Sequence, residues 1–155
     1  MAALDLNHVS VCASDMEASI AFYTDLFGAE RLPTPNFGYP VQWLRVGDRQ
    51  LHLFDRPEPA RRYAHFGLTV DDMNAVYEKA RALGAFDAET NGHHLYELPG
   101  DCVQLYLRDP HGNFVEADAV GVDRLAPAVR ADMQRLEDRL PQSAENLRAT
   151  LFLRR

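Results

Sequence analysis

Cysteine is scarce in this chain. Cys12 and Cys102 are the only two among 155 residues, and no paired spacing links them. A disulfide framework is therefore not expected, and a reduced, cytoplasmic setting fits best. No apolar run approaches the length of a membrane span, and no charged-then-apolar leader opens the chain, so neither membrane insertion nor secretion is expected. Basic residues are outnumbered: 16 Lys and Arg face 23 Asp and Glu, for a formal net charge of −7, and no basic stripe is present. That balance argues against nucleic acid and anionic membrane surfaces as partners. The remaining composition, 46% hydrophobic and 25% charged, is that of a folded globular chain. Its length suits one compact domain.

What is present is a repeat. Residues 6–28 read LNHVSVCASDMEASIAFYTDLFG, and residues 63–84 read YAHFGLTVDDMNAVYEKARALG. In each, a His sits on a short β-like run, an Asp-Met pair follows, and a helical stretch ends at a Gly. His8 and His65 are 57 positions apart. Such a period implies two similar supersecondary units, each with an imidazole at the same point, where a metal can be held. The second halves of the repeat are hairpins. Gly47-Asp48 precedes Arg49–Phe54, and His111-Gly112-Asn113 precedes Phe114–Asp118. His52 and Glu116 fall at similar distances past their turns. The candidate cluster is therefore His8, His52, His65 and Glu116, one residue from each of four strands.

Strand parity is consistent with that grouping, because successive residues face opposite sides. His8 shares a face with Ser10 and Cys12, His65 with Gly67 and Thr69, His52 with Gln50 and Phe54, and Glu116 with Phe114 and Asp118. All four lie opposite the more apolar face, which is expected to carry the helices. Ser14 heads S-D-M-E, a capping-box pattern opening a helix to about Gly28, and a second helix is expected from about Asp72 to Leu83. Residues 32–39 read as loop or weak edge strand, 41–46 and 50–54 as a hairpin, 55–62 as a linker, and 102–107 with 113–117 as a closing hairpin. Beyond about residue 123, Leu125, Val129, Met133, Leu136 and Leu140 recur at helical spacing, and a further short helix is expected from Ser143.

These residues resemble the vicinal oxygen chelate superfamily, which includes glyoxalase I, fosfomycin thiol transferases, extradiol dioxygenases and bleomycin-binding proteins. The resemblance covers residues 6 to about 118 and rests on LNHVSV…SIAFYTDLFG, AHFGLTV and YLRDPHGNFVEA. It implies an α+β fold of two paired βαβββ modules, about 6–56 and 63–119, forming a curved mixed sheet around a metal cleft. Residues 1–122 would be the domain and 123–155 a helical C-terminal extension. By position, His8, His65 and Glu116 match the common ligand triad, while His52 stands where bacterial glyoxalase I-like proteins have a Glu ligand. Tyr106 stands where fosfomycin transferases and extradiol dioxygenases place a catalytic or substrate-binding Tyr. Residues 85–105 contain no Lys or Arg, which speaks against phosphonate binding. His52 and His94 match, loosely in spacing, the additional active-site His residues of extradiol enzymes.

Two His and a carboxylate leave open positions on a metal and suit Fe, Mn, Zn, Ni or Co. The expected function is a divalent-metal-dependent enzyme acting on a small oxygenated substrate, by lyase/isomerase or ring-cleaving dioxygenase chemistry. His52 is expected either as a fourth ligand or, beside the metal, as general acid/base, and Tyr106 as a wall of the site. The rival is a metal-free module that sequesters a small molecule, as bleomycin-binding proteins do. Cys12 reads as a small buried residue. His93 and His94 read as solvent-exposed loop residues, and His111 as a turn residue. The 123–140 stripe suggests a homodimer.

Overall fold

The structure is a computed structural model and describes residues 5–153. It divides into two compact units, one running to Arg62 and including Asp109–Asn113, the other formed by Tyr63–Arg108 and the chain from Phe114 onward.

In the first unit the alternating run His8–Cys12 forms β1, Met16–Phe27 forms α1, and Glu30–Leu32, Val41–Val46 and Arg49–Phe54 form β2, β3 and β4. The strands lie in the order β1-β4-β3-β2, with β1 parallel to β4 and the others antiparallel. One α1 face buries Ile20, Phe22, Tyr23 and Leu26, and α1 packs on β3 and β4, which bury Leu44, Leu51 and Leu53. Each such side chain contributes about 1.5–3 kcal/mol on burial. Gly28 ends the helix in a left-handed conformation (φ 63°) that a residue with a Cβ adopts reluctantly. The cap at the other end differs from the capping-box expectation by one residue. Asp15 accepts from the Ala18 N–H at 3.0 Å, while the Ser14 N–H and hydroxyl both meet His111 Nδ1, and Glu17 pairs with Arg31.

The Asp109–Asn113 turn is built around Asp109, which is 4% exposed. Its carboxylate accepts from the His111 and Asn113 backbone N–H groups, the Asn113 side-chain amide and the Tyr23 hydroxyl. Burial, then the Asp109 charge, pushes the Tyr23 hydroxyl well above its usual range and keeps it a donor. The sequence D-P-H-G-N is thus a structural clamp on α1.

The second unit repeats the topology. His65–Thr69 is β5, Met73–Ala82 is α2 (capped by Asp72 onto the Ala75 N–H), and Leu95–Leu98, Cys102–Arg108 and Phe114–Val120 are β6, β7 and β8. The order is β5-β8-β7-β6, with β5 parallel to β8, and the two-residue strand β9 (Gln134–Arg135) adds to β6. Strand β6 lies partly within a segment whose polarity masks it in the sequence. Inward-facing Val103, Leu105, Leu107, Val115 and Ala117 are buried, as are Met73, Val76, Tyr77 and Ala80 of α2.

The tail corrects one expectation. In place of a continuous helix it forms a 3-10 turn (Val122–Arg124), α3 (Pro127–Asp132), the two-residue strand β9 (Gln134–Arg135) and α4 (Leu136–Arg139). Met133 is extended, so the helical register breaks there. Residues from Ser143 give only a 3-10 turn at Asn146–Arg148. Leu125 and Val129 are buried, so much of the stripe read as a partner surface is internal.

A second clamp ties the loop after α2 to β7. Asp87, 6% exposed, accepts from the Glu89 and Thr90 N–H groups, the Thr90 hydroxyl and Arg108 Nε. Burial alone would raise its pKa, but the Thr90 and Arg108 bonds outweigh it and hold the carboxyl below its ordinary value. A depressed folded pKa gives stability that is present above the unfolded value and lost as pH falls through the folded one. Asp87→Ala is expected to cost about 2–3 kcal/mol at neutral pH, the lower end of buried-pair losses because Arg108 keeps some solvent access. Urea titrations of variant and wild type should converge only as pH falls through the folded-state pKa of Asp87, which lies below its ordinary value, where the carboxylate becomes protonated in both states.

Candidate functional site

In the first unit the predicted residues His8 and His52 meet. His8, at the exposed start of β1, has Nδ1 against Asn7 Oδ1 at 2.5 Å, which fixes its tautomer and leaves Nε2 free to ligate. His52, 7% exposed, lies between two rings, with His8 at 4.4 Å (17° between planes) and Trp43 at 4.5 Å (9°). Trp43 stands opposite His52 in the β3–β4 ladder. His52 Nε2 donates to Gln50 Oε1 at 2.8 Å, so Nδ1 holds the lone pair. Burial, followed by the neighbouring His8, lowers its pKa and favours the neutral ring. Cys12 lies on the same face. Burial first, and then Glu58, raises its thiol, the opposite of an activated nucleophile.

In the second unit His65 and Glu116 meet. His65 Nδ1 donates to the Tyr63 carbonyl at 2.9 Å, and its Nε2 is 3.7 Å from Glu116 Oε2. Glu116, 8% exposed, accepts from Gln104 Nε2 at 2.7 Å, and the Tyr106 hydroxyl donates to Gln104 Oε1 at 2.8 Å. Beside Glu116 lies Asp118, 3% exposed, whose Oδ1 has no hydrogen-bond partner among the described residues. Burial, then the Glu116 charge, pushes Asp118 up to about 7, and burial raises Glu116 as well. Burial and these two carboxylates raise the Tyr106 hydroxyl, which stays protonated. Gly67 makes room for the pair, since a Cβ there would stand 2.9 Å from Asp118 Oδ2 and 3.5 Å from Glu116 Oε1. Gln104 and Asp118 were not singled out in the sequence, although parity places both on the Tyr106 and Glu116 face.

The two units match residue for residue. His8 is two positions before Ser10, which pairs with His52, and His65 is two before Gly67, which pairs with Glu116. Trp43 faces His52 as Tyr106 faces Glu116. Tyr106 also lines a cavity of about 340 Å³ in the second unit, with Asn91, Tyr96, Leu98, Leu136, Arg139 and Leu140.

The other His residues divide. His111 spends both ring nitrogens in its turn, on Ser14 and on the Glu58 carbonyl. His93 and His94, expected to be solvated, are part-buried and both turn to Asp132, because the backbone bends before β6.

The family model of the Glyoxalase/Bleomycin resistance protein/Dioxygenase superfamily matches residues 5–117. The chain belongs to this superfamily. Its match covers His8, His52, His65, Tyr106 and Glu116, and stops short of the tail. Two curated relatives are enzymes. Lactoylglutathione lyase of Haemophilus influenzae is 27% identical over 125 residues, 73% of this chain and 90% of that protein. Human mitochondrial methylmalonyl-CoA epimerase is 31% identical over 86 residues, 46% of this chain. The match spans only 49% of the epimerase's own length. Among solved structures, the fosfomycin resistance protein FosX of Listeria monocytogenes, complexed with Mn(II) and sulfate, superimposes with a TM-score of 0.58. It is 15% identical, with 79% of this chain and 97% of that one covered, a likeness of fold. No helix among the described residues is long and apolar enough to cross a membrane.

Proposed function

We propose that this superfamily member is a divalent-metal-dependent lyase or isomerase that moves a proton at a carbon next to a carbonyl of a small oxygenated substrate. The observation supporting it is the register-equivalent placement of His8 with His52 and of His65 with Glu116. The metal donors are His8 Nε2, His65 Nε2 and the Glu116 carboxylate. Their chemistry fits: both imidazoles have Nδ1 engaged by an oxygen, as ligating His residues do, and two buried carboxylates with raised pKa call for a cation. Two His and one carboxylate suit Fe, Mn, Zn, Ni or Co rather than Mg or Ca. When bound, the ion supplies a Lewis acid that withdraws charge from substrate oxygens.

The protein's own residues supply the rest. His52 stands beside His8, neutral, with its lone pair at Nδ1, and accepts the substrate proton there. Tyr106 holds Gln104, and Gln104 holds Glu116, so this chain fixes the carboxylate's orientation. The second unit's own cavity, lined by Tyr96, Tyr106 and the leucines, is a small-molecule site of that unit. Its one cation, Arg139, suits a substrate with a single anionic group rather than a phosphonate that needs several basic partners. Residues from about 123 onward act as an extension that closes this cavity through Leu136, Arg139 and Leu140.

The test is elemental analysis of anaerobically purified and reconstituted protein, followed by deuterium exchange into 2-oxo and 2-hydroxy acid derivatives in heavy water. About one ion at the proposed donors and metal-dependent exchange are expected. Oxygen uptake on catechols by the Fe(II) form would instead identify ring cleavage. Folded protein that takes up no metal but binds small molecules would establish the sequestration reading.

A further inference from the structure

We propose that His93, His94 and Asp132 form a second transition-metal site, distinct from the donors named above, that ties the tail to the sheet of the second unit. His94 Nε2 stands 2.7 Å from Asp132 Oδ2, and His93 Nε2 stands 4.0 Å from Oδ1 and 2.6 Å from the Asp132 carbonyl. One ligand atom from each of the three residues can be chosen so that all lie within 4.8 Å of one another. Ligands on a tetrahedral Zn(II), with Zn–N near 2.0–2.1 Å, stand roughly 3.3 Å apart, so closure needs side-chain shifts of about an ångström.

Three features set this group apart from an ordinary surface hydrogen bond. The backbone bends at residues 91–94, just before β6, and this brings both adjacent imidazoles to one residue. The rings are held in place: His94 stacks on Phe86 at 4.2 Å and 10°, and His93 meets Tyr96 edge-on at 5.9 Å and 89°. The carboxylate is oriented from behind, because the Tyr77 hydroxyl donates to Asp132 Oδ2 at 2.5 Å, the outer-shell contact that metal-binding carboxylates commonly have. Side-chain exposures of 16% and 12% for the His residues and 36% for Asp132 leave the group screened but reachable. Two imidazoles and one carboxylate select Zn(II), Ni(II), Co(II) or Cu(II) over Mg or Ca and leave a position for water. The imidazoles bind as neutral rings, their N–H protons moving to Nδ1 or to solvent. Asp132 ends α3 and precedes β9, which pairs with β6, so an ion here would cross-link residues distant in sequence.

The experiment uses the full chain carrying His65→Ala, which removes a donor from the first site, so the two proposals fail separately. Zn(II) is titrated against a chromophoric chelator, and melting is followed with and without Zn(II). One ion per chain and a Zn-dependent rise in Tm are expected. Adding His94→Ala or Asp132→Asn should weaken binding at least tenfold and abolish the rise. His93→Ala, which keeps the His94–Asp132 hydrogen bond while losing the His93 bond to the Asp132 carbonyl, should weaken binding at least tenfold too. Absence of Zn(II) binding in the His65→Ala chain, or binding that all three added substitutions leave unchanged, overturns the proposal.

Discussion

Glu116→Gln is expected to weaken divalent-metal binding at the first site by at least about a hundredfold and to abolish metal-dependent turnover, while making the metal-free protein more stable. The two effects have one origin. Glu116 and Asp118 are nearly fully buried side by side; burial raises both carboxyls, and the Glu116 charge raises Asp118 further. Without a cation the pair opposes folding at neutral pH. The amide keeps an acceptor for Gln104 Nε2, adds a donor for Asp118, and removes one charge. Relief of about 1–2 kcal/mol corresponds to a rise of about 3–6 °C in Tm for a chain of this size. The measurements are competition titration with a chelator and melting of chelator-dialysed protein. Affinity within a few fold of wild type would remove Glu116 from the ligand set. A lower Tm would show that its ionised form is satisfied without metal.

Much of this was legible in the sequence, and the reasons lie in particular residues. The repeat placed His8 and His65 correctly at strand starts because each is followed at fixed distance by an Asp that caps a helix, Asp15 and Asp72. Parity grouped His52 with Gln50 and Glu116 with Asp118, and the structure keeps each pair on one face. What parity left open is which polar neighbour matters. Gln104 and Asp118 became visible only through the β7–β8 register, which sets Tyr106 opposite Glu116 and Gln104 opposite Asp118. The tail carries the expected helices, α3 and α4, but as short separate pieces, because helical spacing from Leu125 to Leu140 records burial without recording continuity. Leu125 and Val129 reach the core from separate short elements, and the extended Met133 lets residues 134–135 pair with β6. The convergence of His93 and His94 on Asp132, 38 positions on in sequence, carries no local signal at all.

His52→Ala is expected to lower turnover by at least about a hundredfold, a typical general-base effect, while leaving metal affinity within about tenfold of wild type. The expectation rests on where the ring's nitrogens point. Nε2 is held by Gln50 Oε1, and the ring is sandwiched between His8 and Trp43, so its orientation is fixed beside His8, the donor proposed above. If His52 were instead the fourth ligand, at the position where glyoxalase I-like proteins carry Glu, its loss would remove a metal bond and affinity would fall far more. Gln50→Ala separates the two further. A base whose tautomer depends on Gln50 loses turnover in that variant, because the proton is then free to shift to Nδ1. The decisive comparison is chelator competition for His52→Ala, Gln50→Ala and wild type alongside deuterium exchange at saturating metal. Affinity reduced a hundredfold in His52→Ala, with turnover restored by excess metal, would make His52 a ligand. Unchanged affinity with turnover lost at every metal concentration would make it the base, and a matching loss in Gln50→Ala would fix Nδ1 as the atom that takes the proton.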